Sequence, residues 1–123
     1  MRAHRQDTVL VVEDEALIRL AVRHYLEKGG FRVLEAANRE EALSCIDERE
    51  VDLLLTDVVL SGDDGSQLAR EITARQPNVR VLFMSAHPPE ALRSMHRVDA
   101  DSPTLQKPFT EVELIRRVRD LLI

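Results

Sequence analysis

The chain has 123 residues and a mass of 14.0 kDa, enough for one domain and too little for two. Its 17 basic residues against 22 acidic ones give a net charge of −5, which argues against a nucleic-acid binder that works by neutralising phosphates. One cysteine, Cys45, excludes an intrachain disulfide framework or a cysteine-cluster zinc site, and no apolar stretch approaches the roughly 20 residues of a membrane span. Aromatic residues are only 3% of the chain, so the core must be aliphatic. The polar start, Met1 to Asp7, lacks the apolar run of a signal peptide, and the cytoplasm is the expected compartment.

Short apolar runs alternate with helical patterns. Val9 to Val12 is a β-branched-rich run that stops at Glu13-Asp14. From Glu15 to Lys28, Ile18, Ala21, Val22 and Tyr25 fall on one helical face, and Gly29-Gly30 ends the helix. Phe31 to Leu34 reads as a second strand. Asn38, with Glu41 three residues on, opens a second helix in the manner of a capping box, and Ala42, Cys45 and Ile46 form its inner stripe. Leu53 to Leu55 is a third strand ending at Thr56-Asp57. A turn from Ser61 to Gly65 leads into a helix to about Arg75, with Leu68, Ala69 and Ile72 inward. Val79 to Met84 is a fourth strand that stops at Ser85. Pro88-Pro89 opens a fourth helix, since proline is tolerated in a first turn. Thr104 to Gln106 is a short fifth strand before Lys107-Pro108, and Thr110 with Glu113 caps a last helix to the C-terminus.

A strand–helix pair repeated five times predicts an α/β fold: a doubly wound parallel sheet with helices on both faces. A single domain over residues 1–123, with a core at about 8–122 and no output domain, is expected. Ligands of such sheets bind outside the carboxyl ends of the strands. Those ends carry Glu13 and Asp14, then Asp57, Ser85 and Lys107: three carboxylates, a hydroxyl and an ammonium converging on one edge. Carboxylates that close repel one another unless a cation intervenes. Mg²⁺ meets the need, taking oxygen ligands from Asp14, Asp57 and the backbone carbonyl of Val59 and keeping several waters. With Lys107 opposite, the site is built to stabilise a transferring phosphoryl group, and the central carboxylate, Asp57, is the best-placed nucleophile.

With Val9 to Glu15, Leu54 to Leu60, Met84-Ser85-Ala86 and Leu105 to Phe109 in order, each at a strand end, the chain resembles the receiver domains of two-component response regulators, from about Thr8 to Leu122. The resemblance implies a flavodoxin-like sheet of order 2-1-3-4-5. It implies that Asp57 takes a phosphoryl group from the phosphohistidine of a histidine kinase or a histidine phosphotransfer protein. Glu13 and Asp14 would then be the acidic metal pair, Ser85 the switch hydroxyl and Lys107 the phosphate-contacting lysine, with a cis peptide between Lys107 and Pro108. Neither nucleic acid nor membrane is an expected partner. Both a single-domain regulator and the receiver portion of a hybrid histidine kinase fit. Three positions depart from the family pattern: Ser61 stands where proline is frequent, Asp63 where an apolar residue is usual, and Thr104 where an aromatic switch residue is common.

Other functions on this fold fit less well. A receiver fold that only binds partners has no use for Asp57 and Lys107. A flavin carrier needs a Ser/Thr-rich loop after the first strand, where this chain has Glu13-Asp14-Glu15. A phosphatase of the Asp-x-Asp type needs a second aspartate where Val59 stands. Cys45 reads as a buried inert thiol, His24 and His96 as surface residues, His87 as a loop residue near the site, and Arg116, Arg117 and Arg119 as a solvated helix end.

Overall fold

The strand from Thr8 to Val12 (β1) is buried at every position, because it lies inside a sheet covered on both faces. The computed structural model of the chain describes residues 6–95, 97–99 and 101–123, so His96 lies outside the described residues. The helix Ala16–Lys28 (α1) leads to Arg32–Ala36 (β2), the helix Arg39–Glu48 (α2) and Leu53–Asp57 (β3). Two short strands, Val59–Leu60 (β4) and Asp63–Asp64 (β5), precede the helix Gly65–Arg75 (α3). Arg80–Ser85 (β6), Pro89–Ser94 (α4), Thr104–Gln106 (β7) and Glu111–Leu122 (α5) complete the order. The five main strands form one sheet of order β2-β1-β3-β6-β7, with every pair parallel, as the five strand–helix repeats predict.

The alternation of side chains along the strands divides the core in two. Leu10, Val12 and Leu54 face one way and pack with Ala42, Ile46, Leu68, Ile72 and Leu92, the inner faces of α2, α3 and α4. Val9, Val11, Leu53 and Leu55 face the other way and meet Val22, Leu26, Leu114 and Val118 from α1 and α5. Both layers are almost wholly aliphatic, as the scarcity of aromatics requires.

The helix ends follow local chemistry. Gly30, at φ 95°, supplies the left-handed residue after α1. Thr110 and Glu113 form the full reciprocal capping box on α5. At α2 the box is half made: Asn38 accepts from the Glu41 amide at 2.9 Å, but Glu41 accepts from the amide of Ala37, one residue before the cap, at 2.8 Å. The inner face of α1 is turned from the predicted one. Leu26 enters the core with Val22, Ile18 and Tyr25 are half-buried, and Ala21 is exposed. Cys45 is half-buried rather than buried, and burial is the chief reason its thiol is pushed up from its usual range.

Candidate functional site

β1 and β3 are central strands, so the residues at their carboxyl ends emerge side by side. Glu13 follows β1 directly, and its amide donates to the carbonyl of Ala36 on β2 at 3.1 Å. Asp57 is the last residue of β3, in register with Met84, and the amide of Val58 donates to the Met84 carbonyl at 3.0 Å. Ser85 ends β6. Its carbonyl accepts from the amide of Lys107 at 2.7 Å, which ties the fifth strand end to the fourth. The Lys107–Pro108 peptide is cis, as the resemblance implied.

These backbones bring the predicted side chains together. The Lys107 ammonium lies 2.6 Å from Glu13 Oε1 and 2.6 Å from Asp57 Oδ1. Glu13, Asp14 and Asp57 each present an oxygen, and the three oxygens lie within 4.8 Å of one another. Glu13 is only 1% exposed and Asp57 6%, while Asp14 faces solvent at the mouth. Ser85 is buried, and its Oγ accepts from the amide of His87 at 3.0 Å; the rest of His87 is exposed, as is His24. Val59, on β4, has an exposed side chain.

Burial and the neighbouring Glu13 carboxylate push the Asp57 carboxyl up to about 8, although Lys107 pulls the other way. Glu13 is also buried, and burial alone would raise it, yet it is held below its ordinary range: bonds from the Asp57 carboxyl, from Lys107 and from the Glu15 amide outweigh the cost of burial. Lys107 is raised, because its bonds to Asp57 and Glu13 outweigh its own desolvation. The two carboxyl groups therefore titrate as a coupled pair, with Asp57 pushed toward its protonated form and Glu13 toward its charged form. Three carboxylate oxygens in a nest with one ammonium are short of positive charge. All are hard donors, and the open side at Asp14 leaves room for water. The residues fit a hard divalent cation such as Mg²⁺.

Two contributors escape a reading of the strand ends. Gly65, the first residue of α3, sits so close to the site that a Cβ there would lie 1.8 Å from the Asp57 carbonyl oxygen. In the sequence it passes for one more turn residue. Its neighbour Asp64 caps α3, accepting from the amides of Ser66 and Gln67 at 2.8 and 3.3 Å. The second contributor is Arg19 on α1, which donates to the backbone carbonyl of Glu13 at 2.6 Å. Nothing in its spacing points to the site.

The chain belongs to the family described as the response regulator receiver domain, whose sequence profile matches residues 9–119. It is 36% identical over 117 residues to the sensor kinase CckA of Brucella abortus, an alignment that takes in 94% of this chain and 12% of CckA. It is 31% identical over 115 residues to the response regulator receiver protein CpdR of the same organism, covering 94% of this chain and 96% of CpdR. The structure of a response regulator receiver protein from Sinorhizobium medicae matches with a TM-score of 0.83 at 31% identity, covering 96% of this chain and 95% of that one. The chain thus spans a small part of a sensor kinase, about half of the matching transcriptional regulators and nearly all of CpdR. It is a receiver domain of two-component signalling. Among the described residues no helix is long and apolar enough to cross a membrane.

Proposed function

We propose that Asp57 is the phosphoacceptor, that Glu13, Asp14, Asp57 and the Val59 carbonyl hold Mg²⁺, that Lys107 binds the incoming phosphoryl group and that Ser85 is the hydroxyl that responds to it. The observation that carries this reading is the Lys107 ammonium 2.6 Å from both Glu13 and Asp57, beside a carboxylate trio whose oxygens lie within 4.8 Å. The donor is the phosphohistidine of a histidine kinase or a histidine phosphotransfer protein in the cytoplasm. The chain is an acceptor that assists its own phosphorylation and dephosphorylation, not an enzyme with a separate substrate.

When bound, Mg²⁺ supplies positive charge to the carboxylates and to the oxygens of the transferring phosphoryl group. Asp57 attacks as a carboxylate. One of its oxygens bonds to phosphorus as the phosphorus–nitrogen bond of the phosphohistidine breaks, the electron pair stays on the imidazole nitrogen, and an acyl phosphate remains on this chain. Burial and the Glu13 carboxylate raise the Asp57 carboxyl and so favour its protonated, less nucleophilic form. Positive charge brought to the site favours the carboxylate that attacks. Lys107 already touches Asp57 and is placed to meet a phosphoryl oxygen there. Ser85, one strand over, has a hydroxyl able to donate to another.

Intact-mass measurement after incubation with acetyl phosphate and Mg²⁺ tests the reading. One phosphoryl group on the wild type, and none on Asp57→Asn or on wild type with a chelator, supports it. Full modification of Asp57→Asn overturns it.

A further inference from the structure

Glu13 is held at every polar atom. Its amide donates to the Ala36 carbonyl, Oε1 accepts from Lys107, Oε2 accepts from the Glu15 amide at 3.3 Å, and its carbonyl accepts from Arg19 Nη1 at 2.6 Å. That carbonyl belongs to the peptide unit that joins Glu13 to Asp14, so the guanidinium fixes the plane from which the Asp14 side chain departs. Arg19 is itself restrained. Its side chain is only 19% exposed, and its Nε lies 3.4 Å from Glu35 Oε1 on β2. The second oxygen of Glu35 is taken by Arg23 at 2.5 Å. β2 thus holds the Glu13 backbone on both sides, its amide through the Ala36 carbonyl and its carbonyl, in the peptide to Asp14, through the Glu35 carboxylate acting on Arg19.

Asp14 needs such help more than its partners do. Glu13 and Asp57 are buried and pinned by Lys107, whereas Asp14 faces solvent. An exposed side chain must lose rotamer freedom before it can ligate, and a fixed peptide plane reduces what remains to be lost. A guanidinium is suited to the task, because its fork reaches the Glu13 carbonyl and the Glu35 carboxylate together, which a single ammonium does poorly.

We infer that Arg19 is a positioning residue of the cation site: held by Glu35, it orients the Glu13–Asp14 peptide so that Asp14 meets the cation that Glu13 and Asp57 attract. This rests on the reading of the trio as a Mg²⁺ site. Outer groups that orient metal ligands are typically worth about 10–100-fold in affinity. Since Arg19 touches only a backbone carbonyl of the site, its loss should fall near the lower end, about tenfold.

Calorimetric titration of the full chain with Mg²⁺, alongside Arg19→Met, Arg19→Lys and Glu35→Gln, tests this. Arg19→Met should bind Mg²⁺ about tenfold more weakly, Arg19→Lys should recover part of the loss, and Glu35→Gln should show a smaller loss of the same sign. The rate of phosphoryl uptake from acetyl phosphate should return to the wild-type value at saturating Mg²⁺, with only the half-saturating concentration raised. A merely structural arginine would lower the melting temperature and leave Mg²⁺ affinity where it was. A folded Arg19→Met with wild-type affinity overturns the inference. Should that variant fail to fold, unchanged affinity in Glu35→Gln overturns it instead. Failure of the wild type to bind Mg²⁺ would be a different result, and would overturn the metal site itself.

Discussion

Lys107 Nζ donates to Glu13 Oε1 at 2.6 Å across a sequence separation of 94 residues. The ion pair joins the first strand of the sheet to the last and leaves a 1%-exposed carboxylate dependent on a 20%-exposed ammonium. Removing one partner of a buried pair typically costs about 3–5 kcal/mol, because the other is left charged and unpaired. Lys107 is partly open to water, so Lys107→Met should lie near or below the lower end of that range in urea unfolding without metal. The same change removes a cation that repels Mg²⁺, so the variant should gain more stability from added Mg²⁺ than the wild type does. Equal gains would mean that Lys107 and the cation do not share a field.

The Asp57 carboxyl gives the metal-free protein a pH dependence of definite sign. Its folded value, about 8, lies above its ordinary 3.8, so between those limits the folded state binds more protons than the unfolded state. Stability contributed by such a group is full at low pH and is lost as pH rises toward about 8. Glu13, held below its ordinary 4.5, acts in the opposite sense, but only in the acid range. Thermal unfolding without metal should therefore show Asp57→Asn gaining on the wild type as pH rises from above 4.5, where Glu13 no longer titrates, to about 8. A constant difference between the two proteins across that window would contradict the raised carboxyl.

Gly65 and Gly62 should respond differently to alanine. At Gly65 a methyl group would lie 1.8 Å from the Asp57 carbonyl oxygen, a backbone atom that cannot step aside, so α3 or the end of β3 must move. Gly65→Ala should cost at least the roughly 1–3 kcal/mol of an overpacked core and should weaken Mg²⁺ binding. Gly62 has φ 78° and nothing within 4 Å of its added Cβ, so Gly62→Ala should cost only about 1 kcal/mol of backbone strain and leave Mg²⁺ affinity unchanged. Denaturant midpoints and Mg²⁺ titrations of the two variants decide it.

Thr104 bears on how phosphorylation is read. It is buried on β7 opposite Phe83, and its hydroxyl donates to the Ser102 carbonyl at 3.1 Å. Its χ1 is restricted by β-branching, and it carries little apolar area to bury or expose. Rotating it changes the free energy by far less than the roughly 1.5–3 kcal/mol of burying a large apolar side chain. The response to a beryllium fluoride phosphate mimic should therefore concentrate in Ala86 to Glu90, beside Ser85, and at the start of α4. Amide hydrogen exchange dominated by Thr104 to Gln106 and α5, with Ala86 to Glu90 quiet, would overturn this.

The strand ends were legible because parallel strands with apolar runs leave little choice of register. Once Val9 to Val12 and Leu53 to Leu55 are interior, Glu13 and Asp57 must emerge at one edge. Contacts made by backbone atoms or by neighbouring elements left no such trace. Periodicity places Ala21 and Val22 on one stripe, but the rotation of α1 that buries Leu26 is set by packing against α5 and the sheet. The β4–β5 hairpin joins only two pairs of residues, too few for an alternating pattern to show. Gly65 looks like any turn glycine until the Asp57 carbonyl is seen beside it, and Arg19 looks like any surface arginine on a helix.

The most direct test locates the phosphoryl group. The chain is treated with acetyl phosphate and Mg²⁺, reduced with borohydride, which converts an acyl phosphate to an alcohol, and mapped by peptide mass spectrometry. Reduction confined to position 57, and absent when Mg²⁺ is chelated, is the result this account predicts. Reduction at Glu13 or Asp14 with Asp57 intact would contradict it.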